Sequence, residues 1–168
     1  MSEYHYAVLT TCMGWVGVLG SRKGIRRLAL PQSSPTQAVE KLQPQARDAE
    51  LLPTRFEALR QQLEAYFAGE AVAFDQELDL EEAQPFFLRA WTACRSIPRG
   101  ETRSYAWLAA KAGNPQAVRA SGQAMAHNPV AIIIPCHRVI ASDGSLCGYG
   151  GGLELKQRLL DLERAVRL

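Results

Sequence analysis

The sequence predicts an α+β fold in two parts. Residues 1–80 form a small N-terminal α/β support domain with an antiparallel sheet, and residues 81–168 form a mostly helical domain with a helix-turn-helix. Three observations predict this. Residues 4–31 alternate apolar and polar positions and are broken by glycines. One strongly amphipathic helical pattern starts at Thr54. Beyond residue 85 the apolar spacing is helical almost throughout, so strands precede helices rather than alternating with them.

The elements follow in order. "YHYAVLTT", "GWVGVLGS" and "GIRRLALP" read as two or three short antiparallel strands. Residues 32–50 are polar, carry two prolines and have room for one short helix. In "TRFEALRQQLEAYFAGE", Thr54 and Glu57 have the spacing of a capping box. Phe56, Leu59, Leu63, Tyr66 and Phe67 share one face, and Gly69 stops the helix. "AVAFDQELDL" reads as an edge strand. In the second half, Phe87, Ala90, Trp91 and Cys94 lie at helical spacing. Ser104 is placed to cap a helix through Lys111. Gly113 ends that helix, and Asn114 with Pro115 starts the next. "LELKQRLLDLERAVRL" is a final amphipathic helix.

The helix from Pro115 is built from small residues: Ala117, Ala120, Ser121, Gly122 and Ala124, with Arg119 the one long side chain. Two readings fit. It packs closely on a neighbouring helix, or it lies in a nucleic-acid groove too narrow for the long side chains that read bases in a major groove.

Composition narrows the function classes. The chain has 168 residues, 47% hydrophobic and 21% charged, with a formal net charge of +2. No apolar run approaches the ~20 residues that span a bilayer. "MSEYHYAVLT" has no basic segment before an apolar one and is not a signal peptide. Arg89, Arg95, Arg99, Arg103, Lys111 and Arg119 stand against Glu101 alone, whereas Asp75, Glu77, Asp79, Glu81 and Glu82 form an acidic stretch. The basic stretch fits a phosphate backbone, and equally a solvated helix face. Cysteines at 12, 94, 136 and 147 make no C-x-x-C pair and read as reduced thiols of a cytosolic protein. Cys136, His137 and Cys147 lack zinc-ligand spacing.

The motif that carries chemistry is "AIIIPCHRVIASDG". A thiol becomes a nucleophile as thiolate, which a neighbouring imidazole promotes. On a regular strand Cys136 and His137 point to opposite faces. A direct pair therefore needs a turn, for which Pro135 is suited, or a bridging water. A small core cysteine beside a structural histidine is the other reading. The local signature of papain-like hydrolases is absent.

"GNP", "RASGQAMAHNP", "IPCHRVI" and "GYGGGLELKQRLLDLE", in this order over about residues 85–165, resemble the O6-alkylguanine-DNA alkyltransferases (methylated-DNA–protein-cysteine methyltransferases). The N-terminal half resembles them in layout and in "AYFAGE". The resemblance implies an RNase H-like N-terminal unit. It also implies DNA repair by direct damage reversal, with an alkyl group moved irreversibly, once per chain, from O6-alkylguanine to Cys136. O4-alkylthymine is a further candidate substrate.

The resemblance also assigns residues. Cys136 is the nucleophile, His137 takes its proton through a water, and Glu163 polarises His137. Asn128 ties backbone near the cysteine, and Tyr105 turns the nucleotide's phosphate and donates to guanine N3. Arg119 fills the space of the flipped base, with Ala117, Ala120 and Gly122 against the groove and phosphates. Val139, Tyr149, Gly150 and Met125 line the alkyl pocket. The carbonyls of Cys136 and Val139 accept from the guanine amino group, and the Gly150 amide donates to O6. Arg138 anchors the site.

The implied partner is double-stranded DNA with alkylated guanine. No membrane, cofactor or metal is implied. The protein is expected to be a monomer, able to cluster along DNA, cytoplasmic and nucleoid-associated. Some members carry serine or alanine where Gly150 stands, and Phe87 departs from a frequent glutamine. Cys147 is read as inert. The alternative is a non-catalytic, alkyltransferase-like lesion-binding protein, a group that lacks the cysteine. A helix-turn-helix regulator leaves His137 and Glu163 without a role.

Overall fold

A computed structural model describes residues 2–80 and 82–164. The chain divides after Leu80 into two compact units.

In the first unit, β1 (His5–Thr11), β2 (Gly14–Ser21) and β3 (Gly24–Leu28) form an antiparallel meander. Their alternation buries Ala7, Leu9, Val16, Val18, Ile25 and Leu28. Helix α1 (Pro35–Glu40) starts at Ser34, whose side chain accepts from the Gln37 amide, with Pro35 at the first position. Such a cap contributes about 1 kcal/mol. Gly17 lets α1 approach the sheet, because a Cβ there would lie 2.5 Å from the Ala38 carbonyl oxygen. The short β4 (Glu50–Leu51) pairs in parallel with β1. The sheet order is therefore β3-β2-β1-β4, and the sheet is mixed rather than antiparallel throughout. Two residues of strand in a polar stretch leave no periodic signal, which is why the sequence reading missed it.

Helix α2 (Glu57–Phe67) covers β1 and buries Leu59, Leu63, Tyr66 and Phe67, with Phe56 also buried just before it. Two expectations fail here. Thr54 does not cap α2. The fixed φ of Pro53 starts a 3-10 turn over Pro53–Phe56, so Thr54 lies inside helical backbone. "AVAFDQELDL" is not a strand either. Its pairing is one bridge, Ile25 to Leu78, flanked by Ile25 N–H to the Glu77 carbonyl and Asp79 N–H to the Ile25 carbonyl. Side-chain bonds hold it instead. Ser21 Oγ and Arg26 donate to the Asp79 carboxylate at 2.5 and 2.9 Å.

The second unit opens with α3 (Pro85–Arg95), which buries Ala90, Trp91, Ala93 and Cys94. Strand β5 (Arg103–Ser104) leads into α4 (Tyr105–Lys111), where Ser104 Oγ accepts from the Trp107 amide. Gly113, at φ +96°, turns the chain out of α4. Helix α5 (Val118–Ala126) begins three residues later than the sequence suggests. Asn114 caps a turn instead: its Oδ1 accepts from the Gln116 amide, and its carbonyl accepts from the Ala117 amide. Helical bonding starts with Ser121 N–H to the Ala117 carbonyl.

Helices α3, α4 and α5 pack on one another. Trp91 Nε1 donates to the Ala124 carbonyl at 2.8 Å, and Ser121 Oγ to the Tyr105 carbonyl at 3.1 Å. Arg89 Nε donates to the Ala112 carbonyl at 2.9 Å, at the C-terminal end of α4. Strand β6 (Val139–Ile140) pairs in parallel with β5. Helix α6 (Leu153–Arg164) then turns Lys156, Leu159, Leu160 and Glu163 inward. No described helix is long and apolar enough to cross a membrane.

Candidate active site

The apolar run before the cysteine does not form a strand. It is folded by two three-residue turns. Ile133 N–H donates to the Ala131 carbonyl at 2.8 Å around Ile132, which stands at φ +73°. This is the rare, strained form of γ-turn. A β-branched residue in that region costs of order 1–3 kcal/mol and persists only where its surroundings enforce it. Ile132 is 3% exposed, so its burial enforces the turn. The second turn is the relaxed γ-form: Cys136 N–H donates to the Ile134 carbonyl at 2.8 Å around Pro135, at φ −81° and ψ 64°.

Cys136, His137 and Arg138 then form one 3-10 turn. At three residues per turn, successive side chains splay by about 120°, so Cys136 and His137 leave the backbone in different directions.

Asn128 holds this arrangement from α5's exit. Its Nδ2 donates to the Ile134 carbonyl at 2.8 Å, and its Oδ1 accepts from the Val130 amide at 2.9 Å. Its side chain also favours the thiolate of Cys136.

Behind the thiol lies a buried ionic group. His137 is 0% exposed and Glu163 is 5% exposed. His137 Nε2 and Glu163 Oε2 are 2.9 Å apart. Arg138 reaches the same carboxylate through Nε and Nη2, at 2.9 and 2.7 Å, and the Ile97 carbonyl through Nη1 at 2.7 Å. Burial pushes the Glu163 carboxyl up, but the bonds from His137 and Arg138 outweigh it and hold the group well below the usual carboxylate range. Glu163 is therefore ionised and can only accept, which puts the proton on Nε2. Burial lowers the His137 pKa despite Glu163. The ring is neutral, and Nδ1, buried and with no hydrogen-bond partner, carries a lone pair.

Cys136, 8% exposed, lines a pocket of about 550 Å³. Tyr105, Gly122, Met125, Tyr149 and Gly150 line it too. Burial raises the thiol's pKa, offset in part by Asn128 and by the Lys156 charge. Burial, then the neighbouring thiols, push the Tyr105 hydroxyl up to about 12. It stays protonated at neutral pH and is able to donate.

The expected residues are thus placed in three groups. Cys136, Tyr105, Gly122, Met125, Tyr149 and Gly150 share the pocket. His137, Glu163, Asn128 and Arg138 support it from behind. Arg119 is exposed on α5, and Ala117 and Ala120 are half-buried beside it, so none of the three lines the pocket. Val139 does not line it either: it is 0% exposed, and its carbonyl accepts from Lys156 Nζ at 2.8 Å. A Cβ on Gly150 meets nothing within 4 Å, so an alanine or serine fits there.

Sequence reasoning missed Val118, Ala126 and Gly148 in the pocket lining, and put Cys147 only near its mouth. It also missed Lys156. The signal for Lys156 was present: 156, 159, 160 and 163 form the inward stripe of α6. Among the described residues, no group of three or more His, Cys, Asp or Glu is placed to hold a metal ion.

Two family profiles match the chain. Residues 4–80 match the 6-O-methylguanine DNA methyltransferase, ribonuclease-like domain, and residues 85–165 match the corresponding DNA binding domain. The chain belongs to the 6-O-methylguanine DNA methyltransferase family. A methylated-DNA–protein-cysteine methyltransferase of Methanosarcina barkeri is 41% identical over 161 residues, 95% of this chain and 96% of that one. One of Mycolicibacterium paratuberculosis is 55% identical over 112 residues, 67% of each chain. Among solved structures, Mycobacterium tuberculosis OGT in complex with DNA is 43% identical, with a TM-score of 0.80 over 95% of this chain and 92% of that one. This methyltransferase-family chain therefore shares both its N-terminal sheet unit and its helical unit with such proteins.

Proposed function

We propose that this protein repairs DNA by taking the alkyl group of O6-alkylguanine onto Cys136, irreversibly and once per chain. The observation that carries the reading is a pocket-lining thiol followed by a buried histidine. That histidine's Nε2 is committed to Glu163 and its Nδ1 is open.

The lesion must leave the base stack for its alkyl carbon to meet a thiol in such a pocket. The small face of α5, with Ala117, Ala120 and Gly122, enters the groove, and Arg119 takes the place of the flipped guanine. The Cys136 proton passes through a water to His137 Nδ1, and Glu163 steadies the imidazolium that forms. The S–C bond forms as the O6–C bond breaks. The bonding electrons stay with guanine, which takes a proton at N3 from Tyr105. The Gly150 amide faces O6. The carbonyl of Cys136, a pocket-lining residue, already accepts one bond, which leaves a second lone pair for the guanine amino group. Met125 and Tyr149 wall the alkyl group. The thioether is too stable to reverse, and no cofactor takes part.

Residues 1–80 act as the support domain and residues 81–168 as the DNA-binding and alkyl-acceptor domain. The protein works as a monomer on DNA, in the cytoplasm at the nucleoid. Intact-protein mass spectrometry after incubation with a duplex carrying one O6-methylguanine tests the reading. The expected result is one added methyl group per chain, mapped to Cys136. Tight binding without a mass change would make it a non-catalytic lesion-binding protein.

A further inference from the structure

Helix α5 presents two stripes. Val118, Gly122, Met125 and Ala126 face the pocket. Arg119 and Gln123 are exposed and lie about 100° further round the helix, on adjoining turns of one face. The reaction above uses Arg119 and gives Gln123 no role. No hydrogen bond within the described residues uses the Gln123 carboxamide. Its backbone, by contrast, is held twice. His127 donates to the Gln123 carbonyl from its amide at 2.9 Å and from ring Nδ1 at 2.8 Å, since a carbonyl only accepts. Phe87 stacks on that ring, with centroids 5.9 Å apart and planes inclined by 30°. At the next residue, the Ala124 carbonyl accepts from Trp91 Nε1 at 2.8 Å. A free side chain thus stands on a fixed stretch of helix, as a reading residue requires.

We propose that Gln123 is a specificity-determining residue: it reads a base pair beside the lesion through the minor groove and favours G·C over A·T. The proposal rests on the repair reading, with α5 in the groove and Arg119 in the place of the flipped guanine. Four residues advance about 6 Å along a helix, less than two base-pair rises of about 3.4 Å. Gln123 therefore stands within two pairs of the lesion. Every pair shows acceptors on the minor-groove floor, but only G·C adds a donor, the guanine 2-amino group. A carboxamide carries both kinds of group. At G·C its nitrogen donates to guanine N3 while its oxygen accepts from the amino group. At A·T the oxygen finds no donor. The neighbouring side chains leave this task to Gln123: Ala120 and Ala126 have no polar atom, and Arg119 only donates.

The test uses duplexes with one O6-methylguanine and A·T at the two pairs on either side of it, each pair changed singly to G·C. Time courses of methyl transfer, read by intact-protein mass, give a second-order rate for each duplex. Rates are taken relative to transfer from free O6-benzylguanine, which touches no groove. At one of the four positions the G·C duplex should be repaired about tenfold faster than the A·T duplex. Gln123→Ala should bring that ratio below about twofold, because it removes both the donor and the acceptor. Gln123 is exposed and alanine favours helix, so the variant should fold, which circular dichroism checks.

Equal wild-type rates on all the duplexes overturn the proposal. So does a preference that survives in Gln123→Ala, which belongs to the deformability of the DNA instead. A preference for A·T that disappears in Gln123→Ala overturns it as well. If no duplex gives its methyl group to the wild-type chain, the repair reading fails on its own. Fluorescence anisotropy with dye-labelled forms of the same duplexes then decides Gln123. Tighter binding of one G·C duplex that Gln123→Ala removes supports the proposal, and equal binding of all overturns it.

Discussion

Glu163 Oε2 lies 2.9 Å from His137 Nε2, and both side chains are sealed from solvent. The contact fixes the tautomer of a histidine whose sequence neighbour is the pocket thiol. It also joins two segments 26 residues apart. Glu163→Ala should leave the buried imidazole without its acceptor and the half-buried Arg138 guanidinium with the Ile97 carbonyl in place of the carboxylate. We expect a loss of about 3–5 kcal/mol in urea unfolding, and much slower transfer at temperatures where the variant remains folded.

Cys136→Ala should abolish transfer and leave binding to an alkylated duplex close to wild type. Gel-shift titration and intact mass on the same sample check both. Transfer that survives would move the acceptor to another thiol, with Cys147 the first to map because it lines the same pocket.

Arg119 is exposed, so Arg119→Ala should leave the melting temperature within about 1–2 °C of wild type. It should slow repair of duplex DNA by tenfold or more and leave the reaction with free O6-benzylguanine nearly unchanged. Equal losses on both substrates would remove Arg119 from base flipping.

Asn128→Ala removes the donor to the Ile134 carbonyl and the acceptor of the Val130 amide. The Ile134 carbonyl keeps the Cys136 N–H, but the Val130 amide is left unmatched, which costs about 1–3 kcal/mol. Stability should fall by about that amount or more. The pH profile of Cys136 alkylation by iodoacetamide should also shift to higher pH, since Asn128 favours the thiolate.

Stability should depend on pH in a defined window. Burial lowers the His137 pKa in the folded chain, so the unfolded chain binds the proton more readily. The stability this represents is complete above the unfolded value, about 6.5, and is lost as pH falls below it. Glu163, held low chiefly by its hydrogen bonds against burial, adds a second loss that begins below about pH 4.3. Urea midpoints at pH 7.5, 5.5 and 4 should fall in that order. His137→Gln should flatten the first step.

Some of this was legible in the residues and some was not. The meander over 5–28 and the apolar face of α2 follow from spacing, because there the side-chain period and the buried face are one fact. The start of α5 was misread because Asn114-Pro115 is as good a turn as it is a helix start. Strand β4 was invisible because its two residues are exposed and owe their place to β1. In the site, "IPCHRVI" announced a thiol with an imidazole. No propensity announces Ile132 at φ +73°, since that conformation is imposed by tertiary burial against the residue's own preference. Lys156 was passed over because a lysine on an amphipathic helix is usually assigned to the wet side.

The distance along the chain between Cys136 and Glu163 also sets an order of events during synthesis. A ribosome adding about 5–20 residues per second makes the thiol about one to five seconds before the carboxylate that completes its histidine. Lys156 follows the thiol by 20 residues and Glu163 by 27. A nascent chain therefore carries its pocket thiol before it carries the carboxylate that pairs with the neighbouring histidine. The pairing of His137 waits until most of α6 has been made.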